Sequence, residues 1–396
     1  MISADRGFSV QVVNSVPEIL ALREDWQNMA RDPNGDIDFY LTVIEVNSKN
    51  ASPHVIVLRR DGTVRAILAG RIEQKPLDVP LGYRKLSTAP LRFLTLIHGG
   101  VLGEDREEYA SLLVSAVWDT LKRHDVDVAC FHGVDDDTAL YREARKAGWL
   151  LTRDLFPVSL PRWRLKLAAT YEQVVQRRSA NTRHNLKRYS KRFEKTFGNQ
   201  FEIRSFREGD DLEEMLADTE LIARKTYVRG LGVGFVPDEQ TRRISSLAAN
   251  KGWLRAQILY LKGEPCAFWN GFLYRRTFFT WTTGYQPHLA EFRPGMYLLQ
   301  KLLEELCNEG STDEVDFGFG DAQYKRDVCD HEKLQAAVLL FAPSAKGIAL
   351  NSLRTPLIYA TNTARSLLVR TGLQQKIKKA WRRRVTGTAS TPSSNG

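Results

Sequence analysis

Cysteine is scarce in this chain, and so is any arrangement of residues that would hold a metal. The four cysteines, Cys130, Cys266, Cys307 and Cys329, are widely separated and form no CxxC pair. That argues against a disulfide framework or a thiolate zinc site and leaves buried small hydrophobes as the expectation. The seven histidines show no HxxxH or HExxH spacing, so no metal site is assigned. No apolar run approaches the roughly 18–20 residues that cross a bilayer. The opening MISADRGFSVQVVNSVPEIL lacks a basic segment followed by an apolar one, which predicts a chain that stays in the cytoplasm. Walker and GxSxG loops are also missing, and the Gly-rich stretch GLGVGF at 230–235 has no preceding strand, so it reads as loop.

Acidic residues vanish from the C-terminal end. Of the 57 Lys and Arg, ten lie from Lys346 onward with no Asp or Glu among them, leaving 47 basic against 47 acidic residues before that point. The body is neutral and the net charge of +10 belongs to an appended basic element rather than to a broad nucleic-acid-binding face. Val369, Leu373, Ile377 and Trp381 recur every fourth residue there, set among Lys376, Lys378, Lys379 and Arg382–Arg384. Such a helix lies on an anionic membrane surface, or packs on its own domain or a partner with its basic face in water.

At 396 residues the chain exceeds what one core organises, so two domains are expected. An internal repeat supports this. Residues 57–70, VLRRDGTVRAILAG, overlie residues 258–271, ILYLKGEPCAFWNG, at an offset of 201, matching Leu58 with Leu259, Gly62 with Gly263, Ala66 with Ala267 and Gly70 with Gly271. Each copy reads as a hairpin. A helical stretch precedes each, and an amphipathic helix followed by a short apolar strand comes after each. Residues 171–198 predict a helix dense in Arg and Lys, capped by Gly198, and either simply solvated or forming a basic rim for an anionic substrate.

The most informative segment is 277–325. TFFTWTTGY predicts a strand rich in aromatic and β-branched residues, and Arg293-Pro294-Gly295 opens a strongly amphipathic helix. Gly at a helix mouth is either a plain turn or a place where backbone N–H groups and the helix dipole receive a phosphate, with Arg293 adding a charge.

The order strand, Gly-containing loop, helix, strand resembles the core of the Gcn5-related N-acetyltransferase (GNAT) fold. Trp281-Thr282-Thr283-Gly284-Tyr285, Arg293 to Leu299, and Asp316-Phe317-Gly318-Phe319-Gly320-Asp321 with Tyr324-Lys325 resemble the cellulose-biosynthesis (CelD/BcsL-type) branch. Fem-type aminoacyl transferases share the doubled arrangement that the repeat suggests. The loop departs from the usual pattern, because a single Pro separates Arg293 from Gly295 and Tyr297 stands where a small residue is usual.

The resemblance implies an α/β (α+β) fold of two tandem GNAT-like domains, each a mixed twisted sheet flanked by helices. Residues 1–165 form a degenerate copy, 166–345 the acyltransferase domain and 346–396 a basic tail. It implies acyl transfer from coenzyme A, as acetyl-CoA or another acyl-CoA, to an amine, with an amino sugar of a surface polysaccharide as the acceptor class. Thr282, Thr283 and Gly284 would face the thioester, and Arg293, Gly295, Met296 and Tyr297 would hold the cofactor. The chemistry needs a base, for which Asp321 is first choice and Glu332 and His331 are reserves. Asp321 as a helix N-cap and Tyr324 as a packing residue, rather than an acid for the leaving thiolate, are the competing readings. Lys325, Arg183 and Trp281 are candidate substrate contacts. A tRNA-dependent aminoacyl transferase and a non-catalytic accessory protein of a polysaccharide synthase are the other functions the sequence allows. Peripheral association with the inner membrane face would run through the tail.

Overall fold

The structure, a computed structural model, describes residues 7–81, 84–209, 211–226, 229 and 234–370. The chain divides into two compact units: Met1–Leu160 with Lys333–Gln374, and Pro161–Glu332 with Gln375–Gly396. Each has a mixed sheet flanked by helices, as the sequence predicts.

In the first unit, β1 (Phe8–Val13), β2 (Ala51–Arg60), β3 (Thr63–Lys75) and β6 (Leu91–Gly103) pair antiparallel in that order. A separate hairpin is made by β4 (Asp78–Leu81) and β5 (Arg84–Ser87). β6 then runs parallel to β7 (Val128–Asp135), and helix Glu107–Lys122 supplies the crossover. That helix buries Leu113, Val114, Val117 and Leu121 against Leu58, Leu68, Leu96 and Phe131 of the sheet, the face that its three- and four-residue apolar spacing predicts.

The second unit repeats this order. β9 (Phe201–Phe206), β10 (Leu254–Leu261), β11 (Glu264–Tyr274) and β12 (Thr277–Tyr285) are antiparallel, and β12 runs parallel to β13 (Glu314–Phe319) across helix Pro294–Glu309. The far side of β13 pairs with β8 (Val158–Lys166). The repeat extends to backbone detail. Asp61-Gly62 and Lys262-Gly263 form two-residue turns with φ of 51° and 79°, and 54° and 80°. Two successive left-handed residues define the type I′ hairpin, whose twist matches its strands and which favours Gly at the second place. The β2–β3 register shifts between Leu58 and Arg59, and the β10–β11 register between Leu259 and Tyr260, again 201 residues apart.

Two features differ from the sequence reading. The predicted basic helix is split into Tyr171–Gln176 and Ala180–Phe197, because Ser179 leaves the helical path and its Oγ accepts from Thr182 N at 3.1 Å. Gly198 does cap the second piece, with φ of 52°. The division of the chain also runs differently. β14 (His331–Phe341) pairs antiparallel with β7 of the first unit, so residues 333–345 group with the N-terminal half.

The segment expected to begin a separate tail is helix Ala345–Arg370, and it docks on the first unit. Arg354 forks onto the Asp154 carboxylate at 2.8 and 3.2 Å, both side chains fully or nearly fully buried. Asn351 Nδ2 donates to the carbonyls of Leu151 and Arg153 at 2.9 and 2.8 Å, and Ile358 enters a cluster with Phe93, Val128 and Phe341. The stripe from Leu373 to Trp381 lies outside the described residues.

Removing one member of a buried ion pair strands the other charge. Arg354→Leu is therefore expected to cost about 3–5 kcal/mol in a urea melt of the full chain, and an unchanged midpoint would show that this helix is not anchored there.

Candidate active site

The parallel contact between β12 and β13 lasts three residue pairs, Thr277–Glu314, Phe278–Val315 and Phe279–Asp316. Phe278, fully buried beside Val315 and Leu298, anchors the pair in the core. Past Phe279 the strands part. β12 continues to Tyr285 paired only with β11, so alternate backbone groups from Thr280 onward face the gap instead of a neighbouring strand. A register shift in the β11 pairing leaves Trp281 as the extra residue between Thr280 and Thr282, a bulge of the kind that re-aims a strand beside a site. Its indole packs on Phe272, ring centroids 5.0 Å apart. Thr283 Oγ1 donates to Phe268 O at 2.9 Å. Gly284 must be bare, since a Cβ there would lie 2.7 Å from the Phe268 ring.

The base of this fork is built from charge. Asp316, 1% exposed, forms ion pairs through Oδ2 with Arg162 Nε at 2.6 Å and Arg164 Nε at 3.3 Å, while its Oδ1 accepts from Gly318 N at 2.8 Å. Arg164 also reaches Glu314 at 2.9 Å. Arg162 lies against the rings of Phe279 and Phe319, at 5.8 and 5.7 Å, so one guanidinium touches both diverging strands. These arginines escaped the sequence reading. Their signal was the alternation Arg162-x-Arg164 on one strand against Glu314-x-Asp316 on another, which pairing registers bring to one face.

Lys325 is also placed differently from expectation. It is 6% exposed, and its Nζ donates to Phe317 O, Gly318 O and Phe319 O at 2.8, 3.2 and 2.7 Å. All three ammonium hydrogens are spent on the end of β13, so Lys325 holds the Gly-rich turn and has none left for an anionic substrate. Gly318, at φ 66°, makes the bend possible.

At the far lip of the fork, Arg293 takes a left-handed conformation (φ 56°, ψ 45°) and caps the helix opened by Pro294. Its guanidinium lies 5.4 Å from the Tyr189 ring centroid, on the basic helix. Pro294 has no N–H, and Met296 N and Tyr297 N both donate to Arg293 O, at 3.0 and 3.1 Å. Among the described residues, Gly295 carries the remaining first-turn amide, for which no backbone acceptor is found. Its Cβ would meet Tyr285 Cδ1 at 3.3 Å, so close approach rather than backbone conformation favours glycine here. The Gly295 carbonyl accepts from Trp269 Nε1 at 2.9 Å.

The other predicted residues divide by position. Tyr297 belongs to the core: its ring stacks on Phe193 at 4.5 Å and its hydroxyl donates to Glu194 at 3.1 Å, so it is no part of an open cradle. Met296 packs partly buried against the same cluster. Arg183 donates to Arg178 O at 2.7 Å and so terminates the preceding short helix. Asp321 is exposed and paired with Arg326, while the short helix that follows is capped at Ala322 rather than by Asp321. The Tyr324 ring meets Trp269 and Phe317 edge-on at 5.9 and 6.2 Å. Glu332 and His331 are exposed on β14. All four cysteines are buried free thiols.

With this geometry the comparison with known families is direct. Residues 180–326 match the family model described as an acetyltransferase (GNAT) domain. The match runs from the basic helix through the fork to Arg326, and it makes the chain an acyltransferase. No curated protein matches significantly. Among solved structures, the crystal structure of FemX superposes with a TM-score of 0.55 at 9% identity, covering 84% of this chain and 97% of that one. At that identity the likeness is one of fold. A tandem GNAT protein from the clavulanic acid biosynthesis pathway gives a TM-score of 0.46 at 11% identity, covering 85% of this chain and 100% of that one.

Burial lowers the Lys325 ammonium from 10.5 to about 8. The unfolded chain then holds more protons than the folded one between those values, so stability rises with pH across that window. Urea melts at about pH 7 and about pH 10 are expected to show this rise in the wild type and its loss in Lys325→Met. The same pH dependence in both proteins would mean that the ammonium is not held as described.

Proposed function

We propose that this acyltransferase moves an acyl group, acetyl in the simplest case, from coenzyme A to an amine. The observation that carries the reading is the parting of β12 from β13 beyond Phe279, inside the stretch that matches the acetyltransferase family model. A thioester laid in that gap would place its carbonyl against backbone N–H groups at Thr282–Gly284, which stabilise the oxyanion as it develops. The pyrophosphate would take the Gly295 amide and the Arg293 guanidinium. With Pro294 lacking an N–H and the Arg293 carbonyl taking those of Met296 and Tyr297, this cradle leans on Arg293 more than a glycine-rich loop would. Asp321, at the mouth of the turn that Lys325 holds, is the base proposed for the attacking amine, with Glu332 in reserve, and Tyr324 the acid for the leaving thiolate. Trp281, at the bulge, is the candidate to line the acceptor side. The acceptor class we favour is an amino sugar of a surface polysaccharide, on the strength of the CelD/BcsL-type motifs.

One observation favours a second reading. Between Arg177 and Lys195 there are eight Lys and Arg against one acid, Glu194. That density of positive charge on an exposed helix suits a charged tRNA as donor, whose binding would fall steeply with salt.

Calorimetric titration with acetyl-CoA, with tRNA as comparator, tests both. The wild type is expected to bind acetyl-CoA in the micromolar range, and Gly295→Val, which drives a branched side chain toward Tyr285, to lose at least about tenfold in affinity. Equal binding by both proteins would remove the loop assignment, and salt-sensitive tRNA binding without acetyl-CoA binding would select the second reading. In turnover, Asp321→Asn is expected to lower kcat by about a hundredfold or more with little change in KM; an unchanged kcat would eliminate Asp321 as the base.

A further inference from the structure

The first unit carries an apolar corner that its own core does not explain. Trp149, Leu150 and Leu151 are consecutive and expose 46%, 63% and 41% of their surface. They lead into the short 3-10 turn Leu150–Thr152, to which Asn351 ties the long helix Ala345–Arg370 through the Leu151 and Arg153 carbonyls. The helix continues the same character. Between Gly347 and Ala364 its one charged residue is Arg354, and that side chain is buried on Asp154. Ala349, Ser352, Leu353, Pro356, Tyr359, Ala360 and Thr363, all exposed, form an outer face without charge, with Leu353 69% and Tyr359 60% exposed. A helix face in water ordinarily carries charged side chains.

In the sequence, charge flanks these residues instead of interrupting them. From Ala139 to Arg153 there are four basic residues and one acid, Glu143. Beyond the uncharged face, eight Lys and Arg lie between Arg365 and Arg384 with no acid, and the 26 residues of chain past Arg370 issue from the end of this same helix. Exposed Trp, Tyr and Leu flanked by an excess of basic residues is the composition that suits the headgroup region of an anionic bilayer. No helix among the described residues is long and apolar enough to cross a membrane, so the contact is one of surface insertion.

We propose that the corner Trp149–Leu151 and the outer face of helix Ala345–Arg370 form a docking surface for an anionic lipid bilayer. The apolar side chains enter the headgroup boundary and the basic residues pair with lipid phosphates. This assigns the contact to the folded body of the first unit.

The test uses the full chain with vesicles of phosphatidylglycerol and phosphatidylcholine, and with phosphatidylcholine alone. The wild type is expected to sediment with the anionic vesicles, and the double variant Leu150→Asp, Leu353→Asp to partition about tenfold less. Both substituted positions are exposed. A second readout avoids any concern over folding: brominated lipid should quench the wild-type emission more than that of Trp149→Phe. Equal partitioning of wild type and variant, or equal quenching of the two proteins, would overturn the proposal. So would a concentration-dependent dimer that the double variant abolishes, since a second copy would then be what covers this face.

Discussion

The separation of β12 from β13 depends on a small group of buried charges. Two parallel strands that pair normally would continue to do so, since each additional pair satisfies backbone groups that otherwise need another partner. Here the end of β13 is drawn away and held. Asp316 binds the Gly318 amide from one side, with Arg162 and Arg164 balancing its charge, and the Lys325 ammonium gathers three successive carbonyls from the other. Backbone groups that would have closed the strand gap are thereby satisfied elsewhere. Without that arrangement the fork would be a defect; with it, the strand ends are held apart and β12 keeps backbone groups facing the gap.

The cost of such an arrangement is desolvation, which its ion pairs and hydrogen bonds offset. Asp316 and Lys325 are nearly fully buried, and neither is left without partners. A partly satisfied buried network destabilises more than an apolar one. The aromatic rings of Phe279 and Phe319 lie against the Arg162 guanidinium, supplying a low-cost face for a cation that cannot reach water. In this sense the charged residues at the base of the fork serve geometry first.

Much of the frame was legible from the amino-acid order. The two hairpins announced themselves because a two-residue turn with two left-handed positions needs a residue such as Gly62 or Gly263, and the flanking apolar runs set the strands. The crossover helices were legible from their apolar spacing, and β12 from its aromatic and β-branched run. Where the reading failed, the missing information was a partner. Tyr297 looks like a replaced loop residue until Phe193 and Glu194 are placed beside it. Lys325 looks like a surface cation until a glycine-assisted bend turns three carbonyls toward it. Arg183 looks like an anion-binding side chain until the chain breaks at Ser179 and offers it a helix end to cap.

What the sequence determined by itself is what local chemistry controls: turn type, strand and helix identity, the repeat, and the segment that matches the acetyltransferase family model. Only the tertiary structure decided which strands complete each sheet. β8 alternates apolar and polar residues and β14 ends in a nearly continuous apolar run, and nothing in either specifies its neighbour. The same holds for the buried pairs Asp316–Arg162 and Asp154–Arg354, whose members lie more than 150 residues apart. A charge's partner is chosen by folding, because an ion in the interior is tolerable only where a distant opposite charge is delivered to within bonding distance.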